Sequence, residues 1–122
     1  MELQQDRGLG PFIAAYQSGE FKVDQQTYHQ SILVQAEKCV DIWRPRDLTE
    51  LNRAGLQVLL ALKPAIVLLG VGESLIFPAN ELLAPLHQAQ IGIEIMDTAA
   101  ACRTYNVLMS EGRDVLAALL LH

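Results

Sequence analysis

Basic residues are few and dispersed in this sequence. Nine Lys and Arg stand against fourteen Asp and Glu, for a net charge of −5. The tightest basic pair is Arg44 and Arg46, on either side of Pro45. Displacing counterions from phosphates needs clustered cations, so no nucleic-acid interface is expected, and no adsorption to anionic lipid. Cysteine is just as sparse. Cys39 and Cys102 allow one bridge at most, whereas disulfide-dependent secreted domains usually carry more. Met1 to Arg7 lacks the apolar segment of a secretion signal. Val58 to Val71, the longest apolar tract, is interrupted by Lys63-Pro64 and is too short to cross a bilayer. The expectation is a reduced, cytoplasmic protein without membrane insertion. The two Cys and three His share no ligand spacing, so neither a metal nor another cofactor is expected.

Apolar content is ample, at 51% of 122 residues, enough for one core in a single domain spanning residues 1–122. The patterning changes near Trp43. Residues 11–43 are strand-rich: Phe12 to Tyr16, Phe21 to Val23, Tyr28 to Val34 and Cys39 to Trp43 are joined by short polar turns, as in an antiparallel meander. Residues 44–122 alternate between strand and helix. Asp47-Leu48-Thr49-Glu50 has the spacing of a capping box. Leu48, Leu51, Gly55, Leu59 and Leu62 then recur at helical spacing as far as Pro64. A glycine costs about 1 kcal/mol inside a helix, which a close approach of Gly55 to the sheet would explain.

Ala65 to Leu69 reads as a strand covered on both faces. A helix over Asn80 to Gln90 turns Leu83 and Leu86 inward, and Ile91 to Met96 forms the next strand. Asp97-Thr98 caps a helix from Ala99 to Ser110, with Gly112 in the left-handed position that closes it. Val115 to Leu121 is the last strand. The fold class is α/β, with an N-terminal antiparallel β meander packed with a C-terminal parallel βαβαβ unit.

Gly70-Val71-Gly72 leaves a strand at its carboxyl end, where open α/β sheets bind ligands. Leu75 occupies the place of the third glycine in a dinucleotide fingerprint, and Leu75 to Pro78 delay the helix that would cradle a pyrophosphate. Nucleotide binding fails on both counts. Gly72-Glu73-Ser74-Leu75-Ile76 lacks the second glycine of a nucleophile elbow. His29 falls in a strand, His87 on a helix and His122 at the terminus, so no triad is expected. Cys102 sits beside Arg103 near a helix N-terminus, a setting that lowers a thiol pKa. The ordinary alternative is a small buried apolar side chain. Arg103, Asn106 and Ser110 form a polar stripe on the last helix, flanked by Ala101, Tyr105, Leu108 and Met109. Arg is a fork suited to carboxylates or phosphates, and Asn106 can orient a ligand or bond to a neighbouring loop. The plainer reading is a solvated helix face ended by a Glu111–Arg113 ion pair.

Asp97-Thr98, Ala101-Cys102, Thr104-Tyr105-Asn106, Leu108 and Glu111-Gly112-Arg113, ending in Ala117-Ala118-Leu119, make one motif. With it go Gly70-x-Gly72, Trp43 before the first helix and the Phe21, Tyr28, Ser31 spacing. This set resembles a family of small domains of unknown function found in bacteria and archaea, which includes the mitochondrial assembly factor three of respiratory complex I. Val71 departs from the Thr that members often carry between the two glycines. The resemblance covers nearly the whole chain. It implies a three-layered α/β fold and no established catalytic residue.

Two functional expectations follow. The favoured one is a non-enzymatic adaptor or assembly factor with a protein partner, docking through Leu75, Ile76 and Phe77 on an exposed loop. Against it, Ile76 and Phe77 simply cover the sheet end. The alternative is a small-molecule binder or enzyme with a cleft at the strand ends. Gly70, Gly72, Glu73, Ser74, Asp97, Thr98, Arg103 and Asn106 would line it, with Arg103 gripping an anionic group. The composition is also compatible with a homodimer.

Overall fold

The structure is a computed structural model that describes residues 10–36 and 40–122. Cys39 and Met1 to Arg7 lie outside the described residues.

Three short strands open the fold: β1 (Ile13–Gln17), β2 (Glu20–Val23) and β3 (Gln26–Tyr28) pair antiparallel in that order. Two-residue turns join them, with Gly19 at φ 84° and Asp24 at φ 52° in the left-handed region that such turns require. A second sheet contains β4 (Ile32–Gln35), β5 (Val40–Ile42), β6 (Ile66–Gly70), β7 (Gly92–Met96) and β8 (Val115–Leu119), in the order β5-β4-β8-β6-β7. It is mixed: β4 runs antiparallel to both β5 and β8, whereas β6 pairs parallel with β8 and β7.

The strand-rich half is therefore shared between two sheets. The stretch expected as one strand from Tyr28 to Val34 is broken at His29 to Ser31, which corrects the placing of His29 in a strand. Ser31 is the reason. Fully buried, it accepts the Leu121 N–H on its Oγ at 2.8 Å and the Trp43 N–H on its carbonyl at 2.9 Å. The chain thus steps off the small sheet and onto the large one.

Three layers result. Helices α1 (Arg53–Leu62) and α2 (Asn80–Gln88) pack Leu56, Leu59, Leu83 and Leu86 on one face of the large sheet, against Val67, Leu69, Leu116 and Ala118. Helix α3 (Thr98–Ser110) and the small sheet cover the other face, where Tyr105, Met109, Phe21 and Val23 meet Leu68, Ala117 and Leu119. Every residue of β8 is buried, as the apolar run of a strand covered on both sides requires.

Two local expectations are corrected. Asp47 caps a single 3-10 turn, Leu48–Glu50, rather than α1, and the Glu50 carboxylate accepts from the Arg46 N–H at 2.9 Å. Helix α1 begins afresh at Asn52, whose side chain accepts from the Gly55 N–H at 3.0 Å. The close approach at Gly55 is to Leu51, whose Cδ1 would lie 3.3 Å from an added Cβ, and then to Pro45 and Trp43, not to the sheet. A Cβ there would lie 3.6 Å from Pro45 Cγ and 3.7 Å from Trp43 Nε1, and the Trp43 indole donates to the Gly55 carbonyl at 3.2 Å.

Candidate functional site at the strand ends

Gly70 ends β6, and the chain then runs from Val71 to Ala79 without regular structure before α2. The turn that starts this loop is stitched on both sides. Met96 O accepts from Val71 N–H at 3.0 Å, Gly72 O accepts from Thr98 N–H at 2.8 Å, and Gly70 O accepts from Leu120 N–H at 2.9 Å. A Cβ on Gly70 would stand 2.9 Å from Thr98 Cα, so the first glycine lets α3 begin directly over the strand end. Gly72 adopts φ 101° with its Cα against the His122 backbone. The Gly-x-Gly pair thus serves close packing of backbone on backbone.

Thr98 lies under this turn and is fully buried. Its hydroxyl donates to the Leu120 carbonyl at 2.9 Å and accepts from the Gly72 N–H at 2.8 Å. Asp97 caps α3 by accepting from the Ala100 N–H at 2.8 Å. The helix closes at Gly112, φ 79°, with the Arg113 N–H reaching the Leu108 carbonyl at 3.0 Å. Glu111 and Arg113 form no ion pair among the described residues.

Of the cleft residues expected together, Glu73 and Ser74 line one groove, Arg103 and Asn106 line another, and Gly70, Gly72, Asp97 and Thr98 line neither. Glu73, Ser74 and Ile76 line a groove of about 370 Å³, with Ser18, Asp47, Leu48, Thr49, Val71 and His122 completing its wall. Arg103 and Asn106 line a smaller one of about 200 Å³ beside Tyr16, Ala99 and Cys102. The division has a physical cause: β1 lies along α3. Asn106 clamps that strand, accepting from the Ile13 N–H at 2.9 Å and donating to the Ile13 carbonyl at 2.8 Å. Both polar ends of Asn106 are spent on backbone, and Asn106→Ala is expected to cost about 2 kcal/mol by equilibrium denaturation. Arg103 is exposed at the rim.

The ionisable lining of the larger groove is Asp47, Glu73 and His122, without Lys or Arg. The Thr49 hydroxyl, 2.6 Å from Asp47 Oδ1, and the backbone nearby hold the Asp47 carboxyl below the usual carboxylate range. Tyr16, on the wall of the smaller groove, donates to the Leu121 carbonyl at 3.1 Å. Burial first, and then the charge of Glu73, pushes its phenol up. Ser18, Asp47, Thr49 and His122 are the polar wall residues that sequence reasoning did not gather. They come from three distant segments, and nothing local in the chain marks their convergence.

Of the two readings of Cys102, the small buried side chain is the one observed. The residue is a free, buried thiol, and desolvation outweighs Arg103 to push it up to about 12. The native protein at pH 8 is expected to leave Cys102 unalkylated by iodoacetamide, as read by peptide mapping, with modification appearing only on unfolding. The sign of the pH effect follows. The neutral thiol is favoured in the fold, so its contribution is intact below its ordinary value of 9.0 and is lost as pH rises through about 12. Cys102→Ala should flatten that alkaline limb of the stability curve.

Leu75, Ile76 and Phe77 follow on the loop and are 53, 57 and 65% exposed. Among the described residues no other three consecutive large apolar side chains are exposed. No helix among them is long and apolar enough to cross a membrane, and no group of three or more His, Cys, Asp and Glu is placed to hold a metal ion.

A family model described as "Protein of unknown function (DUF498/DUF598)" matches residues 13–120. Among relatives, the chain is 28% identical over 117 residues to a protein of Francisella tularensis named "13 kDa major membrane protein", covering 94% of this chain and 95% of that one. It is 28% identical to the human NADH dehydrogenase (ubiquinone) 1 alpha subcomplex assembly factor 3, covering 97% of this chain and 65% of the relative's length. Among solved structures, a Bordetella parapertussis protein superposes with a TM-score of 0.84 at 35% identity, over 91% of this chain and 95% of that one. These findings agree with the resemblance carried by the 97–113 motif.

Proposed function

We propose, for a chain that belongs to the DUF498/DUF598 family, a role as a non-enzymatic adaptor or assembly factor that holds a protein partner on the loop from 71 to 79. One observation carries the reading: three successive large apolar side chains, Leu75, Ile76 and Phe77, stand more than half exposed at the carboxyl end of the sheet. Isolated exposed apolar residues are ordinary, but a contiguous exposed run is costly unless something covers it. Side chains that merely sealed the sheet end would be buried, as Val71 is at 5% exposure. The name of the human relative, an assembly factor, supports the same class of role. The scarcity of cysteine and the free Cys102 thiol support a reducing, cytoplasmic setting.

The loop's exposure makes the test clean. Phe77→Ser should abolish crosslinking to the partner while changing folding stability by less than about 0.5 kcal/mol. A variant that unfolds more readily, or one that still crosslinks the same protein, contradicts docking through this loop.

A further inference from the structure

The apolar loop and the strand-end groove share a residue. Ile76 belongs to the exposed run and also lines the 370 Å³ groove with Asp47 and Glu73. The lining carries no Lys or Arg. The basic side chain on the adjoining segment, Arg46, is exposed outside the groove, with its guanidinium 3.3 Å from the Glu50 carboxylate and its charge also felt at Asp47. The Glu73 carboxylate has no hydrogen bond or ion pair among the described residues, and it is exposed. An apolar ledge therefore continues into a small recess lined by Asp47, Glu73 and His122, in which the Glu73 carboxylate has no Lys or Arg partner among the described residues.

We infer that ledge and recess form one bipartite seat for a partner segment in which apolar side chains lie next to a lysine or arginine, the apolar residues covering Leu75, Ile76 and Phe77 and the cation entering the groove beside Glu73 and Asp47. The inference rests on the docking reading above and adds the partner's chemistry. Charge complementarity is its basis: a cation placed there gains two carboxylates and the hydroxyls of Ser18 and Ser74. The whole chain, at −5, draws a basic segment toward it at long range. Lys and Arg bring apolar stems that continue the ledge's contact before the charge reaches the carboxylates.

A dodecapeptide display selection against the full chain at low salt supplies the probe. The best enriched peptide and its Lys/Arg→Gln version are then titrated by fluorescence anisotropy against the parent protein, Glu73→Gln and Phe77→Ser. Glu73 is exposed, so Glu73→Gln should melt as the parent does. Enriched peptides are expected to carry a basic residue within a few positions of an apolar pair. Glu73→Gln and loss of the peptide's cation should each weaken binding about five- to tenfold and should not add in the double cycle. Phe77→Ser should abolish binding. A peptide that needs Phe77 but tolerates Glu73→Gln and loss of its own cation overturns the basic-segment inference and leaves the docking reading standing. Binding indifferent to Phe77→Ser, or no enrichment at all, overturns both. Self-association lost in Phe77→Ser puts a second copy on the loop and likewise overturns the inference.

Discussion

Replacing Gly72 by alanine is expected to cost more than about 3 kcal/mol, a large part of the 5 to 15 kcal/mol that holds a typical domain folded. Two effects add. At φ 101° an alanine is strained in any surroundings. Its Cβ would also lie 2.5 Å from both the carbonyl carbon and the oxygen of His122. Those atoms cannot step aside cheaply, because His122 N–H is held by the Arg46 carbonyl at 3.1 Å and Leu120 N–H by Gly70 at 2.9 Å. Gly19→Ala is the control. It has φ 84° with nothing within 4 Å of the added Cβ, so only the backbone strain remains, about 1 kcal/mol. Urea denaturation of the two variants separates strain from collision. Equal losses would show that the turn at 70–72 is not packed as described.

Thr98→Val carries the second large effect, about 2 to 4 kcal/mol. The change keeps the shape and removes the one group that bridges the Gly72 N–H and the Leu120 carbonyl. Both backbone groups are then left in a site that water does not reach, since Thr98 is fully buried. Thr98→Ser restores the hydroxyl and should recover most of the loss, leaving about 1 kcal/mol for the missing methyl. Chemical denaturation gives the energies, and hydrogen exchange at the Gly72 amide should accelerate in Val but not in Ser. A Val variant as stable as the parent would mean that the hydroxyl does not join the loop to the last strand.

What the chain disclosed beforehand follows the reach of its local signals. Helix α3 was legible from end to end because Asp97, the apolar positions 101, 105 and 109, and Gly112 all act within their own turn. The apolar runs of β6 and β8 likewise announced strands covered on both faces. The break at His29 to Ser31 was not legible, since Ser31 leaves the ladder for the amide of Leu121, ninety positions away. The start of α1 was ambiguous in principle: Asp47 and Asn52 are both competent caps. What separates them is Trp43 reaching the Gly55 carbonyl, a tertiary contact.

The site shows the same limit. Glu73 and Ser74 could be placed at a strand end from the order of strand and turn. A helical wheel puts Arg103 and Asn106 on one face but does not say what covers it. Here β1 does, and Asn106 holds Ile13 rather than a ligand. The run at 75–77 reads from its letters either as an exposed loop or as a cover over the sheet end, and the structure leaves its three side chains exposed.

The most direct test of the docking account is native mass spectrometry of the protein gently purified from its own cells, with Phe77→Ser prepared in parallel. The account predicts a stoichiometric second protein bound to the parent chain and missing from a folded Phe77→Ser. A partner retained by Phe77→Ser, or a small molecule of less than about 1 kDa released from the parent with no protein bound, would contradict it.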